Sequence, residues 1–375
     1  MTERTDLPDP DDIMQVSLLT GFLGSGKTTL LNKLLKHPAM AETAVLINEF
    51  GEIGIDHVLV EKVDDEMMVL NAGCLCCTVR GDLTRALREL FVKRVQGKIP
   101  PIERVLIETT GLADPAPIIH TLMTDPVIAN RFRLDGVITT VDAVNGDLQF
   151  DRYPESVKQA AVADRILLTK CDLADAGNVE TIEAGLRHLN PGAPVFRIKH
   201  GEIDPGQLFN AGLYNPDTKS IDVRRWLQEE AYAERDAHDH DHHHHHGHDH
   251  GHGHDHGHGH AAQDPHDVNR HDAHIGSFCL TFDQPFVWQV FVNWIRELIS
   301  RHGEQLLRLK GIVHIEGHAE PLAVHGVQHL FHDPVPLPPG TDDDPRSRIV
   351  FITKDLDRPT VEAILAEART MAQPR

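Results

Sequence analysis

Gly21-Phe-Leu-Gly24-Ser25-Gly26-Lys27-Thr28-Thr29 follows a short apolar run, Met14-Gln-Val-Ser-Leu-Leu19, and precedes Leu30, Leu31, Leu34 and Leu35 at helical spacing. Strand, glycine loop and helix are in register, the context that a phosphate-binding loop of the form G-x-x-x-x-G-K-[ST] requires. Glycines let backbone N–H groups close around a β-phosphate, and the start of the next helix adds partial positive charge. Lys27 is placed to reach the β/γ oxygens, and the Thr28 hydroxyl to help hold Mg²⁺. Residues Gly21, Gly24, Ser25, Gly26, Lys27, Thr28 and Thr29 thus predict a nucleoside triphosphate site, with Lys27 also serving the chemistry.

Further along, Ala44–Asn48, Met67–Leu70, Val105–Ile107, Gly136–Val141, Arg165–Leu168 and Val195–Ile198 read as buried strands. Helices are predicted over Gly81–Val95 and Val179–Leu189 from apolar residues on one face. This alternation predicts an α/β fold, a doubly wound, mostly parallel sheet whose ligands sit beyond the C-terminal strand edges. Past the histidine-rich stretch, strands at Ile275–Phe282, Leu306–Ile315 and Ile349–Thr353 and helices at Pro285–Arg301 and Thr360–Met371 predict a second, smaller α/β domain. The division is therefore a disordered tail over 1–13, a nucleotide-binding domain over 14–226, a histidine-rich disordered linker over 227–274 and a second domain over 275–375.

A length of 375 residues suffices for two cores, and 40% hydrophobic content is ordinary for a soluble chain. No apolar run approaches the roughly 18 residues of a membrane span. Met1–Asp12 is polar and acidic, unlike a signal peptide, so the cytoplasm is expected. A formal charge of −21 argues against nucleic acid or an anionic membrane as partner, although 28 histidines would alter that balance in mild acid. Five cysteines, three of them clustered, point to metal or redox chemistry rather than a disulfide framework.

Glu108-Thr-Thr-Gly111 ends the third strand. A carboxylate there can hold or orient water on Mg²⁺, and Gly111 lets the backbone amide approach a γ-phosphate. Glu108 and Gly111 join Lys27 as the candidate catalytic set. Thr169-Lys170-Cys171-Asp172 follows another buried strand. The Asp172 carboxylate can accept from guanine N1 and N2 while the Lys170 stem packs over the ring, so this pocket selects GTP over ATP. Cys171 is assigned to packing.

Cys74-Leu-Cys76-Cys77 offers three thiolates within four residues, suited to a tetrahedral soft ion such as Zn²⁺, with Co²⁺ the alternative. Three local ligands leave a fourth position open, as a site that releases its metal needs. The cysteines are expected one strand end from the phosphates. Glu49 and Glu52 occupy the loop where a GTPase switch would lie, and they could serve Mg²⁺, the cargo metal or neither. His238–His260 holds 14 histidines among glycines and aspartates. Such a run collects divalent ions without selecting among them. His314, His318, His325, His329 and His332 are weaker metal candidates, each more naturally a surface or core residue.

Together the phosphate loop, Asn48-Glu-Phe-Gly-Glu52, Cys74–Cys77, Glu108–Gly111 and Thr169–Asp172 resemble the CobW-like metallochaperone GTPases, relatives of the nickel-insertion GTPases. Lys310-Gly-Ile and Gly326-Val-Gln328 resemble that family's small second domain. The resemblance spans nearly the whole chain after residue 13. It implies a GTPase whose nucleotide state governs a metal held at the cysteine motif, with hydrolysis resetting the protein after transfer to a client metalloprotein. Zinc is the first expectation, cobalt for cobalamin synthesis the alternative, and a homodimer is compatible with both. Two readings from other classes compete: a histidine-based metal buffer, and a small-molecule kinase that would leave the cysteines idle.

Overall fold

The computed structural model describes residues 13–48, 61–62, 67–69, 75–78, 83–209, 275–337 and 344–371. In chain order the first part runs β1 (Met14–Gly21), α1 (Lys27–Leu34), β2 (Thr43–Asn48), β3 (Glu61–Lys62), β4 (Met67–Val69), β5 (Leu75–Thr78), α2 (Leu83–Val95) and β6 (Arg104–Thr109). It continues through α3 (Ala116–Thr124), α4 (Pro126–Ala129), β7 (Phe132–Asp142), α5 (Gly146–Arg152), α6 (Pro154–Ala161), β8 (Arg165–Thr169), α7 (Ala176–Leu189) and β9 (Val195–Arg197).

Strand β1 is buried along almost its whole length, as a central strand covered on both faces must be. Its side chains divide by alternation. Val16 and Leu18 join Leu46, Val105 and Ile107 in one core, closed by Leu87 and Leu90 of α2 and Ile119 and Leu122 of α3. Leu19 joins Val45, Ile47 and Leu106 in the opposite core, closed by Leu30, Leu31 and Leu34 of α1. Helices thus cover both faces. Among the described residues the sheet order is β3-β4-β5-β2-β6-β1-β7-β8-β9. Every neighbouring pair from β5 to β9 is parallel, whereas β3 and β4 join antiparallel at one edge. This is the doubly wound, mostly parallel sheet of a phosphate-loop NTPase. The chain leaves β1 for β2 on one side and returns from β6 across β1 to β7, so the topological switch point lies at the C-terminal end of β1.

Helices α3 to α6 fill stretches where the sequence pattern predicts no element. Their prolines look like breakers, yet three of these helices carry proline within the first two helical positions, where the missing N–H costs nothing.

The second sheet is built from β10 (Ile275–Phe282), α8 (Trp288–His302), β11 (Leu306–Val313), β12 (Leu322–Val327), β13 (Leu330–Phe331), β14 (Val335–Pro336), β15 (Ser347–Lys354) and α9 (Arg358–Met371). Its order is β10-β15-β11-β12-β13, with β14 on β12, and these neighbours pair antiparallel. Phe278, Phe286, Phe291, Trp294 and Phe351 form its core, and the fully buried Trp294 donates its indole N–H to the Val361 carbonyl at 3.2 Å.

Among the described residues the two domains meet at two places. Asp164, just before β8, takes an ion pair from Arg308 at 2.6 Å and a second from Lys310, while Arg308 also donates to the Val162 carbonyl. Elsewhere Val327 and Leu330, flanking the β12–β13 turn, enter the core formed by α2 and α3, and Gln328 between them donates to Asp114 at 3.0 Å. Among the described residues no helix is long and apolar enough to cross a membrane.

Candidate functional site

The loop between β1 and α1 turns on three glycines with positive φ, Gly21 (138°), Gly24 (74°) and Gly26 (93°). At Gly21 space is decisive as well, since a Cβ would fall 2.4 Å from the Thr140 carbonyl oxygen. Gly26 precedes α1 and no side chain caps the helix, which leaves its first N–H groups to an external anion. Thr28 and Thr29 are exposed on the first turn, and Lys27 is buried. Lys27 Nζ folds back over the loop and donates to the carbonyls of Gly21 at 2.8 Å and Phe22 at 3.3 Å. An uncapped helix start, a buried ammonium and an exposed Thr28 hydroxyl fit a magnesium-bound triphosphate.

Hydroxyl groups root this loop in the sheet. Ser25 Oγ lies 2.6 Å from Thr140 Oγ1, Thr140 donates to the Thr20 carbonyl at 3.2 Å, and Thr109 donates to Thr20 Oγ1 at 2.9 Å. The Thr169 hydroxyl is shared between the Ser25 carbonyl at 2.7 Å and the Val141 carbonyl at 3.0 Å. Threonines at the ends of β1, β6, β7 and β8 therefore hold one loop. Thr20, Thr109 and Thr140 are absent from the candidates drawn from sequence, which held Thr169 alone of the four; a threonine recurring at each strand end was the available signal.

Glu108 is buried at the end of β6, in register with Leu19 of β1 and Ile47 of β2. Past it, Gly111 presses on the phosphate loop: a Cβ there would meet Leu23 N at 2.7 Å and Leu23 Cα at 2.8 Å. The fully buried Gln159 of α6 holds the same segment, its amide lying 3.2 Å from the Gly111 carbonyl and 2.9 Å from that of Ala113. Gln159 was also missed, because nothing in a helical stretch marks one glutamine as aimed at a distant loop.

Lys170 adopts left-handed backbone (φ 58°) and pairs with the buried Asp142 at 2.6 Å. Burial acts to raise the Asp142 carboxyl, but hydrogen bonds from Lys170, Asn145 and the Val144 N–H outweigh it and hold the group below the usual carboxylate range. Asp172 keeps part of its carboxylate exposed, with His200 Nδ1 at 3.5 Å. Cys171 packs against the core of β8 and α7, its Sγ 3.1 Å from the Leu168 carbonyl, and burial pushes its thiol up.

Cys76 and Cys77 lie inside β5, not in the turn after a strand. Cys76 pairs with Val45 and Cys77 with Leu46. A short Leu-Cys-Cys-Thr run has little intrinsic strand signal, and its pairing with β2 decides the matter. Strand β2 therefore stands between the cysteine strand and β6, which corrects the expected separation of a single strand end. Cys74, Glu49, Glu52 and the histidine run lie outside the described residues.

In the second domain His325 is buried and its ring stacks on His332 at 4.5 Å. Burial, then the neighbouring His332 and Arg308, lowers the His325 imidazole well below its ordinary range, and burial with Arg308 lowers His332 to about 4. Among the described residues no group of three or more His, Cys, Asp or Glu side chains could hold a metal ion.

The CobW/HypB/UreG nucleotide-binding domain matches residues 15–197, and the cobalamin synthesis protein CobW C-terminal domain matches 275–369. The zinc chaperone YjiA of Escherichia coli is 33% identical over 354 residues, 94% of this chain and 98% of the relative. The chain belongs to the CobW family of P-loop GTPases. Another relative of this CobW-family chain, the zinc chaperone CobW of Pseudomonas aeruginosa, is 30% identical over 381 residues, covering 93% of this chain and 89% of its own. A zinc-regulated GTPase metalloprotein activator 1 of Saccharomyces cerevisiae is 28% identical over 382 residues, 93% and 82% of the two chains. The crystal structure of Zn(II)-bound YjiA GTPase superposes with a TM-score of 0.69 at 33% identity, over 95% of this chain and 99% of that one.

Proposed function

We propose that this chain is a cytoplasmic, GTP-hydrolysing metallochaperone that takes Zn(II) on Cys74, Cys76 and Cys77 and passes it to a client metalloprotein. Its domains are 14–226 for nucleotide and 275–375 for the partner domain, with the histidine-rich stretch 227–274 between. Lys27 and the α1 N–H groups hold the phosphates, Thr28 the Mg²⁺, and Thr169, Lys170 and Asp172 the base. Glu108 orients water on the magnesium, and Gly111 brings its amide to the γ-phosphate. Thiolates hold the cargo because soft ligands suit Zn(II).

The observation that carries this reading is one hydrogen-bonded path across the sheet. In register, Thr78 after the cysteines faces Ile47 of β2, and Ile47 faces Glu108 of β6. A change at the γ-phosphate thus has two strand pairings to cross before it reaches the thiolates. Coupling requires only that the metal bind the GTP and GDP states unequally. The zinc-chaperone names of the relatives support the choice of cargo.

The test is competitive zinc titration of a variant lacking 237–272, loaded with a non-hydrolysable GTP analogue or with GDP. Distinct affinities are expected, and identical ones refute the coupling. The deletion also separates this function from a metal buffer, which would lose its binding capacity with the histidines.

A further inference from the structure

Gly326-Val327-Gln328 belongs to the second domain, yet its last residue reaches the nucleotide domain. Val327 pairs with Leu330, so Gln328 and His329 form a two-residue turn between β12 and β13. Gln328 has left-handed backbone (φ 52°), a conformation unusual for a residue with a long side chain and kept only where surroundings demand it. Here Val327 and Leu330 are anchored in the α2–α3 core, His329 lies 5.8 Å from the ring of His120 on α3, and Gln328 Nε2 donates to Asp114 Oδ2 at 3.0 Å.

Asp114 is three residues past Gly111. Its Oδ1 accepts the Ala116 N–H at the start of α3 (2.9 Å), and its Oδ2 takes Lys158 at 3.4 Å as well as Gln328. The segment Gly111–Asp114 is therefore gripped by Lys158 and Gln159 of α6 and by Gln328 of the second domain. Only the last grip comes from another domain.

We propose that Gln328 is a positioning residue for GTP hydrolysis: the second domain, through Asp114, holds Gly111 in its working place beside the phosphate loop. This rests on the GTPase reading given above. The contact favours the GTP-bound place of Gly111, so by linkage of binding free energies GTP steadies the β12–β13 turn relative to GDP.

The experiment compares the full-length chain with Gln328→Gly, which removes the amide and relaxes the left-handed backbone, and Gln328→Lys, which retains a donor of similar reach. One hydrogen bond to a carboxylate predicts a kcat about three- to tenfold lower in Gln328→Gly. GDP affinity should be nearly unchanged, affinity for the GTP analogue should weaken, and Gln328→Lys should recover most of both losses. In the wild-type chain, amides of 327–330 should exchange more slowly with a non-hydrolysable GTP analogue than with GDP; a merely structural contact gives equal rates. This exchange arm stands even should Gln328→Gly fail to fold. A wild-type chain that hydrolyses GTP, matched in rate by Gln328→Gly or showing equal exchange in both states, overturns the inference alone. A wild-type chain without hydrolysis overturns the GTPase reading and the inference with it.

Discussion

Replacing Gly111 with alanine adds one methyl group where three atoms of Leu23 already stand. The new Cβ would lie 2.7 Å from Leu23 N, 2.8 Å from its Cα and 2.7 Å from its Cδ2. Non-bonded carbons rest at about 3.5–4.0 Å, so the segment after β6 must retreat by roughly 1 Å. A misplacement of that size near reacting groups costs on the order of 100-fold in rate, or about 2.7 kcal/mol of activation free energy. Overpacking in a well-packed region costs about 1–3 kcal/mol of stability, so the variant should fold with a lowered melting temperature. Single-turnover phosphate release, beside titration of a fluorescent GDP analogue, separates the two effects: kcat should fall about 100-fold while GDP affinity stays within a few fold. Adding Leu23→Ala removes Cδ2 but leaves the two backbone atoms, so it should not rescue the rate. Hydrolysis at the wild-type rate by Gly111→Ala would show that this approach to the phosphate loop has no bearing on chemistry.

Thr169→Val keeps shape but removes the hydroxyl shared by the Ser25 and Val141 carbonyls; leaving a buried acceptor unmet costs about 1–3 kcal/mol, and GDP titration should show roughly tenfold weaker binding. Asp172→Asn exchanges one acceptor for a donor, matching xanthine N1–H and O2 rather than guanine, so competition between GTP and XTP should turn toward XTP. His332 is held neutral with its pKa lowered to about 4. A base with a lowered folded pKa contributes fully above its unfolded value near 6.5 and loses that contribution as pH falls toward 4. His332 should therefore account for at most about 3 kcal/mol of the weakening of urea melts across this window, with His325 weakening them in the same direction, and His332→Leu should reduce the dependence without abolishing it.

The parallel core was legible because β1, β6 and β8 are apolar runs of strand length, and Leu30, Leu31 and Leu34 repeat at helical spacing. The cysteine strand was not, since β5 owes its conformation to β2, and pairing between distant segments leaves little trace in four residues. Prolines 117, 126 and 154 looked like punctuation but stand in first turns of helices. At the candidate site, residues with a distinctive spacing announced themselves: the phosphate loop, Glu108 with Gly111, and Thr169 with Asp172. Those that act by position did not. Thr109, Thr140, Gln159 and Gln328 each meet a partner at least 48 residues away, and only the folded chain shows why that residue type is needed.

Phe209 and Ile275, the described residues on either side of 210–274, are both packed into the folded body. Phe209 is buried beneath α1, its carbonyl 3.4 Å from the Arg165 guanidinium, and Ile275 packs beside Ala161 and Leu189 where Leu307 and Ile352 meet the nucleotide domain. Both flanks of the histidine-rich stretch are thus anchored in packed cores. A protease cut anywhere between Phe209 and Ile275 should release nothing: the two fragments, joined through Asp164 and Asp114, should migrate together on size exclusion and should reassemble when expressed as separate chains.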